Sequence, residues 1–273
     1  MDPFLLRVAL SIVLGGLAVA LFTAAAERMG SRVGGLLLSF PVKVTIALLL
    51  IGLNEGALFA AHAAAQVPVG IGVNVVFLAA TALLVRRLRP WPALLAALSL
   101  WLVAGLLAVL LPAGSIAQAL LWWLAPAAVA LALLAGLPGV RGDRRPKAVD
   151  RFGWRGLLAR AAGAGAIVGL SIVLARVAGP VLGGLASVFP SGWITTMVIL
   201  TRGHGPEFTG ATVRVMVTGS AAPVAFGVTC ALAMPAWGAV AGVAAGIGAA
   251  LAASLLAMAA LRWRDGRKDA AAA

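Results

Sequence analysis

The chain has no tyrosine, one cysteine, two histidines and only 8 acidic residues among 273. A lone cysteine, Cys230, excludes an internal disulfide, and it has no companions for a thiolate metal site. His62 and His204 alone make no metal set, so no metal is expected. There is no HExxH run, no paired-carboxylate motif and no Ser-His-Asp grouping, so the chain lacks the parts of a hydrolase and reads as a non-enzyme. The glycine-rich stretches lack the strand–glycine–helix context of a dinucleotide site, and no cofactor is expected. Charge is scarce as well. Charged residues make up 11% of the chain, against about 25% in a soluble domain, which is too few to cover a water-facing surface.

What the chain does have is apolar residues, at 63%, and a net charge of +13. The bases sit in short clusters between long apolar runs, as in a protein that marks its cytoplasmic side. A nucleic-acid module needs a soluble basic face, often with stacking aromatics, and neither is present. The first apolar run carries one early base, Arg7, and is followed by many more runs. It therefore reads as a first span rather than a cleaved signal peptide.

A span needs roughly 20 mostly apolar residues. Nine are expected, near residues 4–25, 34–53, 58–85, 91–112, 115–137, 157–177, 181–201, 209–232 and 236–261. The third is long, and a break near Val67–Gly72 would raise the count to ten. With the N-terminus outside, the cytoplasmic segments hold Arg28 and Arg32, then Arg86, Arg87 and Arg89, the 141–155 cluster, Arg202, and a tail with Arg262, Arg264, Arg267 and Lys268. The outer segments hold little beyond Arg7 and Arg176. The expected topology is N-terminus outside and C-terminus cytoplasmic, in a bacterial inner membrane. Several of the eight tryptophans fall near proposed span ends, as interfacial anchors do.

The sequence repeats at an offset of 149. Residues 26–41, AERMGSRVGGLLLSFP, match residues 175–190, ARVAGPVLGGLASVFP, at seven of sixteen positions, including Gly34 with Gly183, Gly35 with Gly184, Phe40 with Phe189 and Pro41 with Pro190. Each copy covers four spans, with the fifth span as a linker. An odd number of crossings between the copies reverses the second, and inverted repeats of this kind underlie many secondary transporters. The expected organisation is a first four-helix repeat at 1–112, a linker helix and basic loop at 113–156, a second repeat at 157–262 and a disordered tail at 263–273.

Pro41 and Pro190 lie inside their spans. Proline lacks a backbone donor and clashes with the preceding turn, so each marks a break. The groups freed there need partners in protein or a wet cavity. Ser191, Gly192 and Trp193 follow the second break. Lys43 follows the first by two residues, about ten residues into its span, where a charge normally faces protein or water. No acidic residue lies within ten positions on either side. A helix starting after Pro41 would add its positive end to the Lys43 ammonium, which together describe an anion site. A structural ion pair with Glu55 is the other reading. Glu55, His62, Arg202, His204 and Glu207 are the candidates for gating or coupling.

Ala26–Pro41 with Asn54-Glu55-Gly56 resembles bacterial membrane proteins of uncharacterised function. Gly184, Leu185, Phe189 and Pro190 resemble the Gly-Leu-x-x-x-Phe-Pro stretch of the GlpM-like inner-membrane proteins. That resemblance implies a link to exopolysaccharide production. The whole reads as an all-α polytopic bundle, a transporter or flippase for an anionic or amphiphilic solute. The alternative is a non-transporting scaffold for envelope or exopolysaccharide biosynthesis. The expected partners are membrane lipids, an unidentified solute and further copies of the chain.

Overall fold

In the computed structural model the described residues are 3–28, 41–135, 154–191, 193–194, 197–198, 201 and 205–272. They form α1 (Pro3–Arg28), α2 (Val42–Glu55), α3 (Ala57–Ala65), α4 (Val67–Leu84), α5 (Pro90–Leu110), α6 (Ile116–Ala135), α7 (Trp154–Ser187), α8 (Gly205–Gly219) and α9 (Ala221–Ala272). Prolines sit in the first turns of α4 and α5, where no intrahelical donor is lost, whereas Pro126, Pro180 and Pro235 lie inside α6, α7 and α9. Hydroxyls inside apolar helices bond back to their own turn, as Thr81 does to Phe77 O and Ser171 to Ile167 O, which satisfies them without water.

The core is apolar, and unlike that of a soluble fold the outer surface is apolar too. On α5, Leu95, Leu102, Leu106 and Leu110 are all exposed, as are Leu121, Val129 and Leu133 on α6. Such continuous apolar surface fits lipid and not water. The buried helix is α4, in which Val67–Val75 are buried without interruption. Five helices among the described residues are long and apolar enough to cross a membrane: Ala57–Leu84, Pro90–Leu110, Ile116–Ala135, Ala161–Ser187 and Gly205–Ala260. The chain is thus an all-α, multi-pass membrane protein.

Several sequence boundaries shift. The break expected near Val67–Gly72 falls at Gln66, whose Nε2 donates to Ala113 O and ties the α3–α4 joint to the α5–α6 turn. The expected spans 157–177 and 181–201 meet at Gly179, which has φ 86° and ψ 174° inside α7. Only glycine adopts that backbone readily. Gly56 (φ 96°) and Gly205 (φ 80°), 149 residues apart, mark the ends of corresponding helices, and Gly238 (φ 81°) interrupts α9. The tail expected to be irregular continues α9 to Ala272, since alanine, arginine and lysine are strong helix formers. Residues 29–40, with Gly30 and Gly34, and the basic linker at 136–153 lie outside the described residues.

The packing follows the 149-residue offset. One core cluster sets Leu48, Ala64 and Val67 against Val224, Phe226 and Val243. A second sets Met197, Val213 and Met216 against Val75, Phe77 and Leu94. Each residue of the second group stands 149 positions from one of the first. Both clusters therefore mix early and late parts of the chain. The helices α1 and α7 meet in the same manner. A methyl group on Gly16 would strike the Ala161 carbonyl, and one on Gly165 would strike the Ile12 carbonyl. Position 12 corresponds to 161, and position 16 to 165. Gly169 touches Ile12 and Val8, so contacts run down α1 as they run up α7, and the two helices are antiparallel there.

This contact yields a prediction. Gly16→Ala and Gly165→Ala should each lower stability, by about 1–3 kcal/mol, because each added methyl meets backbone. Gly163→Ala, with open space around it, should cost nothing. Thermal melting in detergent reads all three. A loss at one of the pair only would break the reciprocity of the contact.

Candidate functional site

The site is built at the end of α7. The helix stops at Ser187, whose Oγ donates to Gly184 O at 2.6 Å. Phe189 N donates to Ala186 O, and helical geometry resumes at Ser191, with Ile194 N donating to Pro190 O at 2.8 Å. Between these points Pro190 supplies no donor. Phe189 O accepts one short-range backbone bond, from Ser191 N at 2.9 Å, and among the described residues no backbone N–H reaches Val188 O.

Side chains from two earlier helices donate to these carbonyls, and a third helix holds one of the donors in place. Lys43, in the first turn of α2, donates from Nζ to Phe189 O at 3.0 Å and to Ser191 Oγ at 2.8 Å. Asn74, on α4, donates from Nδ2 to Val188 O at 2.7 Å. Trp101, on α5, donates from Nε1 to Asn74 Oδ1 at 2.8 Å. The Trp101 ring stands edge-on to Phe189, with centroids 5.2 Å apart and planes at 83°, a favoured aromatic geometry. Close approach of α7 to the α3–α4 joint depends on Gly184, where any side chain would meet Ala63 O.

Pro41 is the N-cap of α2, with φ −79° and ψ 51°. Its carbonyl accepts from both Thr45 N and Thr45 Oγ1. Of the residues singled out in the sequence, Lys43, Pro190 and Ser191 thus come together, with Pro41 two residues from Lys43. Trp193 packs into the second core cluster instead. Gly192, Arg202 and His204 lie outside the described residues.

The gating candidates that are described do not converge. Glu55 ends α2, twelve residues from Lys43, which is about 18 Å along a helix. A direct Lys43–Glu55 ion pair is excluded by that distance. His62 on α3 and Glu207 in the first turn of α8 are exposed. Among the described residues no group of three His, Cys, Asp or Glu could hold a metal. A cleft of about 520 Å³ lies at the α5–α6 turn, lined by Leu110, Pro112, Ala113, Gln118 and Trp122. Lys43 does not line it.

Asn74 and Trp101 were missed by sequence reading. Asn74 had a signal, as a lone amide within an apolar run, and such residues in a span are rarely idle. Trp101 lies mid-span, away from the interface where tryptophans gather.

With the fold and site described, comparison with known proteins adds one finding. A family model described as a protein of unknown function (DUF3147) matches residues 8–112. The match falls on the part of the chain where the sequence resembles uncharacterised membrane proteins. It brings no link to the GlpM-like proteins. No curated protein and no solved structure matches the chain.

Ser191→Ala removes the hydroxyl that accepts from Lys43 Nζ. Ser191→Ala should cost about 0.5–1.5 kcal/mol, the net worth of one hydrogen bond. Ser99→Ala removes only an exposed bond to Leu95 O and should leave the melting temperature unchanged. Equal melting temperatures for the two variants would show that the contact contributes nothing.

Proposed function

We propose that the chain is a transporter or flippase of the inner membrane, built from two inverted four-helix copies and moving an anionic or amphiphilic solute. The observation that carries this reading is Lys43. Its ammonium lies at the Val188–Ser191 break, two residues after Pro41 in sequence, and meets only a carbonyl and a hydroxyl among the described residues. Neither partner neutralises its charge, and a charge withdrawn from water calls for a counter-charge. An anion entering between the breaks would supply it. The antiparallel, reciprocal contact of α1 with α7 and the paired core clusters support an inverted arrangement of nine spans. Such an arrangement has two related states, open to opposite sides.

A second reading keeps one observation in its favour. Lys43 is closed in by protein acceptors and does not line the cleft at the α5–α6 turn. A non-transporting scaffold for envelope or exopolysaccharide biosynthesis, with the basic linker at 138–156 as its contact with lipid or partner, would have such a closed centre.

Two measurements decide. Reporter fusions at residues 30, 88 and 145 and at the C-terminus should read cytoplasmic, and a fusion at residue 178 external. A cytoplasmic reading at both 30 and 178 removes the inverted arrangement. Purified protein should be stabilised by one of three anionic probes: inorganic phosphate, succinate or phosphatidic acid. Lys43→Met should weaken that binding at least ten-fold, and Lys43→Arg, which keeps the charge, should weaken it less. Undiminished binding by a folded Lys43→Met would end the anion-site reading.

A further inference from the structure

At the Val188–Ser191 break, Val188 O accepts from Asn74, and Phe189 O accepts from Lys43 as well as from Ser191 N. Trp101 holds Asn74 in place, and its ring braces Phe189. All three clamping side chains come from α2, α4 and α5, in the early half of the chain. The positions 149 residues further on are Gly192, Pro223 and Ala250. None of these has a side-chain hydrogen-bonding group. The late half therefore carries no side-chain donor at the positions matching these three. The backbone clusters repeat at this spacing, but the clamp does not.

In a bundle of two inverted copies, the two states differ by which copy adopts which shape. If both halves carried the same contacts, neither state would be favoured. Here the early helices carry three polar contacts to the late break with no counterpart, so one state is held over the other. A ligand or mutation shifts such a balance only through its different affinity for the two states. We propose that Lys43, Asn74 and Trp101 form a one-sided clamp on the Val188–Ser191 break, which holds the resting protein in one of its two states. This rests on the inverted-repeat reading above and assigns regulation to that site. It also gives Lys43 a second task. An anion drawing the ammonium away from Phe189 O would loosen the clamp, so solute binding and release of the resting state are coupled through one side chain.

The test uses the full chain in proteoliposomes. Thr45 and Ile194 stand 149 residues apart beside the two breaks. Thr45→Cys and Ile194→Cys are made singly and labelled with a membrane-impermeant maleimide from each side. The parent, whose single cysteine Cys230 is buried, gives the background. With the clamp intact, the two reporters should differ in labelling rate from a given side by more than ten-fold. Trp101→Phe keeps the ring and removes only the N–H, and should bring the rates closer by at least three-fold. Asn74→Leu removes both bonds and should bring them closer still. If Asn74→Leu does not fold, Trp101→Phe carries the test alone. An unchanged ratio in folded Trp101→Phe, with a lowered melting temperature, would make these residues a simple helix-end cap and overturn the proposal. Binding of the anionic probes is read separately on the parent. A shifted ratio without anion binding would sink the solute reading and leave the clamp standing. Anion binding with an unshifted ratio would do the reverse.

Discussion

A backbone carbonyl that leaves the helical ladder inside a bilayer must find a donor within the protein, because neither lipid nor bulk water provides one. The rest of this structure is arranged around that requirement at Val188 and Phe189. Pro190 supplies no donor, Ser191 N reaches only Phe189 O, and two helices distant in sequence deliver side-chain donors. Asn74 reaches Val188 O across 114 residues and Lys43 reaches Phe189 O across 146. The order of packing follows from this. The helix α4 must lie against the end of α7 and so is buried nearly throughout, α5 must follow it to bring Trp101 to Asn74, and α2 must start beside the break.

Close approach is the second condition, and glycine meets it. Gly184 lets α7 press on the carbonyl of Ala63, while Gly16 and Gly165 let α1 and α7 cross backbone to backbone. Area burial gives helices little reason to associate in lipid, so contact distance and polar pairing must hold them. The two act together here: glycines bring the helices near, and the Lys43, Asn74 and Trp101 donors fix the register.

Apolar packing and polar chemistry differ in how they follow the 149-residue offset. Core positions such as Leu48 with Met197, and Phe77 with Phe226, perform matched packing roles in the two clusters. The polar residues that hold the break have glycine, proline and alanine at the matched positions. Apolar packing tolerates exchange of similar volumes, so it persists across both halves. A directional donor serves only the acceptor it faces, and it appears once.

Sequence alone determined the solvent of this protein and most of its helices. Apolar runs of membrane length and scarce charge leave no other choice, and helix ends at Gly56, Gly205 and Arg89 were legible from glycine and charge. Lys43 and the two prolines stood out because a charge or a missing donor at depth is costly wherever it points. The 149-residue repeat was visible in Gly-Gly and Phe-Pro. Only tertiary structure decided the rest. That Lys43 faces Phe189 O and not Glu55 depends on a helix length and a distant neighbour. Asn74 and Trp101 became site residues because folding set them against a broken helix more than 85 residues away. The reason is physical. Burial and helix formation follow from local composition, whereas a hydrogen bond needs a donor and acceptor within about 3 Å, and only the packed chain brings them there.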